Sequence, residues 1–314
     1  MVQERVSGPM DLRWRSWRGA LTRTFGAFWS DKLTDWAAAL TYYSVLSLFP
    51  ALLLLTALLG LLGRATTDSM IATVRQVGPG SETAFVVGAL ENVRSTQSLS
   101  GPLALVGLVT AVWTASAYIG AFIRAANSLY EIDEGRSIRK TLPLRFGLTL
   151  IMLAIAAACA VGVVVTGTVA RKVGQWLGVG SAGIRVWDVL KWPVLALLVS
   201  LAFALLYWAA PNVRQPGFRW LTPGSVLAVV IWIAASAGFA FYVANFGSFN
   251  KIYGSLAAAV VFLVWLWLTN LAVLIGAEID AELARGRGIE QGHHPDQSPF
   301  LPARDEPESQ HTPT

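Results

Sequence analysis

Arg124, Asn127 and Glu278 bring a fixed positive charge, an amide and a carboxylate to the ends of two apolar stretches. A planar guanidinium flanked by such groups can hold an anionic headgroup at a membrane edge. Two readings fit this trio. One is helix-end anchoring, in which Arg124 pairs with Glu278 or with Glu282, one turn further along the same face. The other is a cytoplasmic vestibule that recognises a charged headgroup. Deeper in the apolar stretches, Thr41, Ser44 and Ser47 precede Pro50, while Thr110, Thr114 and Tyr118 recur every four residues, and Asn270 stands alone. These polar groups read either as the lining of a cavity or as a seam between helices, where such hydrogen bonds contribute about 0.6–2 kcal/mol each. Pro50 removes one backbone hydrogen bond and predicts a kink.

The elements that carry these side chains are apolar runs without Asp, Glu, Lys or Arg: 36–62, 102–123, 146–170, 192–210, 223–245 and 253–277. A helix of about 20 residues crosses the roughly 30 Å hydrocarbon core of a bilayer, and each run has that length or close to it. Charged residues make up 14% of the chain and mean hydropathy is +0.54, below and above the respective norms of soluble domains. The predicted fold is therefore an all-α integral membrane protein, a bundle of six transmembrane helices over 36–284. The link 63–101 carries Gly78-Pro79-Gly80 between short apolar segments and predicts two short extracytoplasmic helices. The second helix is expected to continue to Leu129. Gly224/Ala228 and Ala234/Gly238 are small pairs that predict close helix packing.

Charge placement predicts orientation. Sixteen of the twenty-four Lys and Arg fall in segments on the side of the N-terminus, eight on the other. That bias puts both termini in the cytoplasm. Residues 1–35 are too polar for a cleavable signal. Trp14, Trp17, Leu21, Phe25 and Phe28 instead share one helical face, with Arg13, Arg15, Arg18 and Arg23 beside or opposite it. This amphipathic helix either lies on the inner leaflet or packs beneath the bundle. Residues 285–314, with five prolines and three glycines, are expected to be a disordered cytoplasmic tail.

Several chemistries are argued against. The apolar runs hold no buried carboxylate relay for a proton-coupled pump. His293, His294 and His311 are the only histidines, all in the tail, and there is no HExxH, CxxC, Walker lysine motif or Gly-x-Ser-x-Gly. No catalytic residue, metal ligand or cofactor is expected, and the single cysteine, Cys159, reads as apolar packing. The basic residues follow topology, so nucleic acid is not an expected partner.

Tyr253-Gly254-Ser255-Leu256-Ala257-Ala258, Trp265-Leu266-Trp267-Leu268 and Gly276-Ala277-Glu278-Ile279 resemble the sixth-helix signature of the YihY/virulence factor BrkB family. Residues 37–43 with Ser47-Leu48-Phe49-Pro50 resemble its first helix, Asn127 with Tyr130 the end of its second, and Pro211-Asn212 with Pro223-Gly224 its fourth link. The resemblance covers residues 30–284 and implies a multi-pass protein of the bacterial inner membrane. Members have also been labelled ribonuclease BN, but a metal-dependent phosphodiesterase needs a His/Asp cluster that the apolar region lacks. The expected function is transport or flipping of a lipid or amphiphilic anion without ATP hydrolysis of its own. The alternative is a non-transporting scaffold for envelope organisation. Membrane lipids are the expected partners; protein partners stay open, and a homo-oligomer fits as well as a monomer.

Overall fold

The computed structural model describes residues 18–20, 22–24, 26, 32–61, 100–164, 181–215, 217–218, 220–245, 255–292, 294 and 298–306. Six helices follow in order: α1 (Leu33–Leu61), α2 (Ser100–Leu129), α3 (Ile138–Val164), α4 (Ser181–Ala209), α5 (Pro223–Asn245) and α6 (Ser255–Glu290). Among the described residues there is no β-strand, only a single bridge between Val213 and Ala303. Five stretches are long and apolar enough to cross a bilayer: Leu105–Leu129, Ile138–Cys159, Val189–Ala209, Pro223–Val243 and Ala259–Glu290. Only 11% of the second and of the fourth is buried within the protein, so their apolar faces need lipid to cover them. α1 is helical throughout its 29 residues and runs on through Pro50. The side chains of residues 49–61, and with them the predicted kink, lie outside the described residues, as does the link 63–99.

The chain divides into two compact units, residues 42–118 and residues 1–41 with 119–314. In the first, the hydroxyls return to their own helices. Ser47 donates to the Ser44 carbonyl (2.8 Å), Thr110 to Val106 (2.7 Å) and Thr114 to Thr110 (2.9 Å). Such back-bonding satisfies a hydroxyl at membrane depth without water or a neighbouring helix. Tyr118 is half-buried.

In the second unit, α5 lies along α6, α4 touches both, and α3 pairs with α4. The α5–α6 crossing is set by glycine. A Cβ on Gly224 would stand 2.1 Å from the Gly276 carbonyl oxygen, and one on Gly276 would stand 2.6 Å from both the Gly224 oxygen and the Ala228 Cβ. The Gly224/Ala228 pair thus forms the predicted seam. Ala234/Gly238 does not: a Cβ on Gly238 would meet nothing within 4 Å, so that end of α5 is open on its glycine side among the described residues. The N-terminal end of α1 is tied to α6 by Asn270, whose amide donates to the Thr41 hydroxyl (3.1 Å) and to the Leu266 carbonyl (3.0 Å). Replacing Asn270 by Leu should lower stability in detergent by about 1 kcal/mol. Thr41→Val should cost a similar amount and add little in the double variant, and strict additivity would disprove the pairing.

Helix bounds depart from the charge-free runs where a helix leaves the apolar layer. α3 starts at Ile138 and α4 at Ser181, earlier than the predicted 146 and 192, and α6 extends to Glu290 rather than 277. A 36-residue helix is about 54 Å long, nearly twice the hydrocarbon thickness. Its charged end is sheltered by protein instead of lipid. The N-terminal segment contributes to that shelter: Ala20 is buried against Ile279 and Leu283, and Arg23 pairs with Glu282 at 2.5 Å. The apolar residues Trp14, Trp17, Leu21, Phe25 and Phe28, on which the interfacial helix was predicted, lie outside the described residues.

The expected disorder from residue 285 onward is corrected over two stretches. Residues 285–290 complete α6, and residues 298–306 pack against the link after α4. Proline and glycine content predicts a loose tail only if the segment finds no partners, and this one finds several. Residues 307–314 lie outside the described residues.

Candidate functional site at the polar end of the helices

Three helix termini meet here, and each leaves backbone groups that must be satisfied. α5 begins Thr222-Pro223-Gly224-Ser225. Ser225 N–H donates to the Thr222 hydroxyl and Thr222 N–H to the Ser225 hydroxyl, both at 3.1 Å, a reciprocal cap with serine where glutamate is usual. Pro223 has no N–H to satisfy. The remaining donor, Gly224 N–H, reaches Asp280 Oδ1 on α6 at 2.8 Å. A carboxylate at this position also suits the positive end of the α5 dipole. The Thr222 hydroxyl and the Arg287 charge also act on the Asp280 carboxyl, while its second oxygen, Oδ2, is buried without a donor of its own among the described residues.

α2 ends in a left-handed turn. Ile132 N–H donates to the Asn127 carbonyl and Glu131 N–H to Ser128, both at 3.0 Å, with Glu131 at φ 50°. This double bond pattern normally uses glycine at the left-handed position. Glu131 takes it here and pairs its carboxylate with Arg285 on α6. Burial would raise the Glu131 carboxyl, but contacts with Ser298 and Arg285 outweigh it and hold the group below the usual range.

Beyond that turn, Arg136 is buried, and its guanidinium grips both Glu134 oxygens at 2.7 Å. It also donates to the Ala210 carbonyl at 2.7 Å, a cation at the C-terminal end of α4. Asn127 Nδ2 donates to Glu134 (3.0 Å), and Asn127 Oδ1 accepts from Asn212 N–H (2.7 Å). Asn212 then holds the C-terminal segment. Its Nδ2 donates to the Asp305 carbonyl (2.7 Å), its Oδ1 accepts from Asp305 N–H (3.1 Å), and its carbonyl accepts from Arg304 N–H (2.9 Å). Lys140 pairs with Asp305 at 2.5 Å, Phe300 stacks on Tyr130, and Arg304 lies over the Trp208 ring.

Burial alone would raise Glu134, yet Arg136 and Asn127 hold it below the usual carboxylate range, and the Lys140 hydrogen bond does the same for Asp305. Depressed carboxyl values contribute stability that is complete above the ordinary range, about pH 4–4.5, and is lost as pH falls through the lower folded-state values. The melting temperature in detergent should therefore drop on acidification below about pH 4.5. Lys140→Met should flatten part of that drop. An acid-independent melting temperature would exclude the linkage.

Beside this network lies a cavity of about 40 Å³, lined by Tyr130, Tyr207, Trp208, Gln215, Asp280 and Arg287 among others. Gln215 Nε2 donates to Tyr130 Oη (3.1 Å) and to the Tyr207 carbonyl (3.0 Å). At the mouth of α5, Trp220 is 72% exposed and Leu221 45%. Tryptophan at such a position suits the membrane–water boundary.

Of the predicted headgroup residues, Arg124 is exposed, whereas Asn127 and Glu278 are buried. The amide of Asn127 is committed to the latch between Glu134 and Asn212, and none of the three lines the cavity. Asn270 and Thr41 meet each other, while Ser47, Thr110 and Thr114 bond to their own helices. Sequence reasoning missed Arg136, Gln215 and Arg287. Glu134-x-Arg136 in the short charged link after the second apolar run was the available signal for the first. Among the described residues, no group of three or more His, Cys, Asp and Glu is placed to hold a metal ion.

The family model for virulence factor BrkB matches residues 24–300. The ribonuclease-like YfkH of Bacillus subtilis is 28% identical over 84% of this chain and 93% of its own length. A UPF0761 membrane protein of Tolumonas auensis is 28% identical over 83% of this chain and 86% of its own. Another, from Alkalilimnicola ehrlichii, is 30% identical over 82% of this chain, which spans 56% of that longer relative. No solved structure matches the chain. With nearly nine-tenths of its length under one family model and apolar helices suited to a bilayer, the chain is a membrane protein of the virulence factor BrkB family.

Proposed function

We propose that this chain is a six-span protein of the bacterial inner membrane, both termini cytoplasmic, that moves or flips a lipid or other amphiphile without hydrolysing ATP itself. The observation that carries this reading is a small cavity at the start of α5, mixed polar and apolar in its lining, on a helix whose further residues are exposed and apolar. Tyr130, Gln215, Asp280 and Arg287 line the cavity, while Val226, Val230 and Ile233 on α5 are exposed. A headgroup can thus leave water for the cavity while its acyl chains stay along α5, which lowers the cost of pulling the headgroup across. α1 supplies the sixth span, since its run 36–62 is free of charge over twenty-seven residues.

Proteoliposomes with fluorescent phospholipid in both leaflets test the reading. Dithionite should quench more than the outer half of the label when the protein is present. Quenching equal to that of empty vesicles would remove it. A scaffold is the second reading, favoured by the docking of Ala20 and Arg23 on α6. It requires copurifying proteins that are lost with Arg23→Glu.

A further inference from the structure

We infer that the cavity beside α5 recognises a primary ammonium group next to a phosphate, the headgroup of an aminated phospholipid. This rests on the amphiphile-handling reading and names the chemical class that the site selects. The argument begins at Asp280. Its Oδ1 caps Gly224 at 2.8 Å, but the buried Oδ2 meets no donor among the described residues. A buried carboxylate oxygen left without a donor costs more than a neutral one, so the site favours a ligand that brings donors. An ammonium carries three and accepts nothing.

The walls suit the same charge. Tyr130, Tyr207 and Trp208 line the cavity, and Trp208 already carries the Arg304 cation over its ring, so these walls tolerate positive charge. Gln215 spends its amide nitrogen on Tyr130 and the Tyr207 carbonyl, which leaves its amide oxygen as a further acceptor on the wall. Donor chemistry then discriminates. The cavity, about 40 Å³, holds an aminomethyl end, and a trimethylated ammonium has no N–H left to give the Asp280 oxygen.

Arg287 lines the same cavity. It lies seven residues after Asp280, two turns along one face, and helix side chains lean toward the N-terminus, so its guanidinium inclines toward the carboxylate. A phosphate adjoining the ammonium would fall on the Arg287 side. Ammonium on Asp280 and phosphate toward Arg287 match a zwitterionic headgroup. The exposed Trp220 and Leu221 at the start of α5 mark where its glycerol and acyl chains would leave.

The test uses the full chain in detergent, with melting temperature read against added phosphatidylethanolamine, phosphatidylcholine, phosphatidylglycerol and soluble phosphoethanolamine. Phosphatidylethanolamine should bind at least about tenfold more tightly than the other two lipids, the difference expected for one charged hydrogen-bonded contact. Asp280→Asn keeps an oxygen for Gly224 and should erase that preference. Gly217→Leu fills a wall where a Cβ meets nothing within 4 Å, and it should also erase the preference without unfolding the protein. A preference that survives both substitutions, or equal binding of all three lipids, overturns the inference. Binding of soluble phosphoethanolamine without the lipid upholds the ammonium site and rejects the membrane source. Equal scrambling of every headgroup in vesicles, with no binding preference, would discard this inference while leaving the transport reading intact.

Discussion

Gly224→Ala should cost about 3 kcal/mol or more of stability in detergent, the upper end of overpacking penalties. The added methyl would enter a space already held by the Gly276 carbonyl oxygen at 2.1 Å and the Asp280 carboxyl carbon at 2.6 Å. Backbone oxygen cannot rotate aside, so relief requires α5 and α6 to separate, and separation breaks the Asp280 bond to Gly224 N–H. Gly276→Ala meets the Gly224 oxygen and Ala228 Cβ at 2.6 Å and the Tyr207 hydroxyl at 2.7 Å, and should be equally damaging. Gly238→Ala on the same helix and Gly147→Ala on α3 are the controls, since neither new methyl meets an atom within 4 Å. They should be neutral or mildly stabilising, because alanine costs less than glycine to hold in a helix, by about 0.8–1 kcal/mol. Thermal unfolding of the four variants decides the matter. If Gly224→Ala melts with Gly238→Ala, the helices are not in contact at that crossing.

Arg136→Ala should destabilise the protein by about 3 kcal/mol, the scale seen when one partner of a buried ion pair is removed. The Arg136 side chain is 3% exposed, and its guanidinium serves two elements at once. It neutralises Glu134, and it takes the Ala210 carbonyl at the end of α4. Lysine is no substitute, because a single ammonium cannot repeat the planar two-point grip. Glu134→Gln keeps an oxygen for Asn127 but loses the charge. The double variant should therefore cost much less than the sum of the single ones, a coupling readable from a thermodynamic cycle. A loss below about 0.5 kcal/mol for Arg136→Ala would class it with exposed charges.

The two regions differed in how much of them could be read in advance. α5 occupies the predicted run 223–245 because Thr-Pro-Gly-Ser punctuates its start in sequence. α2 ends at Leu129 as expected, closed by hydrogen bonds within its own chain neighbourhood. α6 was cut short at 277 because Glu278, Asp280 and Glu282 resemble a solvated end. In the fold Asp280 is covered by residue 224 and Glu282 by residue 23, neither of which periodicity can bring to mind. The latch was illegible for the same reason: Asn127 and Asn212 are 85 residues apart, and Asp305 is a further 93 away. Local spacing predicts faces; it cannot predict which distant backbone carbonyl an amide will choose. The hydroxyl stripe shows the complementary case: Thr110 and Thr114 bond to carbonyls of their own helix, a choice that four-residue spacing does not reveal.

The segment that closes over Asn212 is translated after α1 to α6. A chain still on the ribosome can thread its helices into the bilayer while Asn212 lacks the Asp305 contacts that finish its coordination. Emergence of residues 298–306 from the ribosome, rather than insertion of the helices, is then the event that locks the lattice of amides and charges. A product halted near residue 296 would sit in the membrane with that clasp open, distinguishable from one that includes residues 298–306 by its heightened susceptibility to proteases.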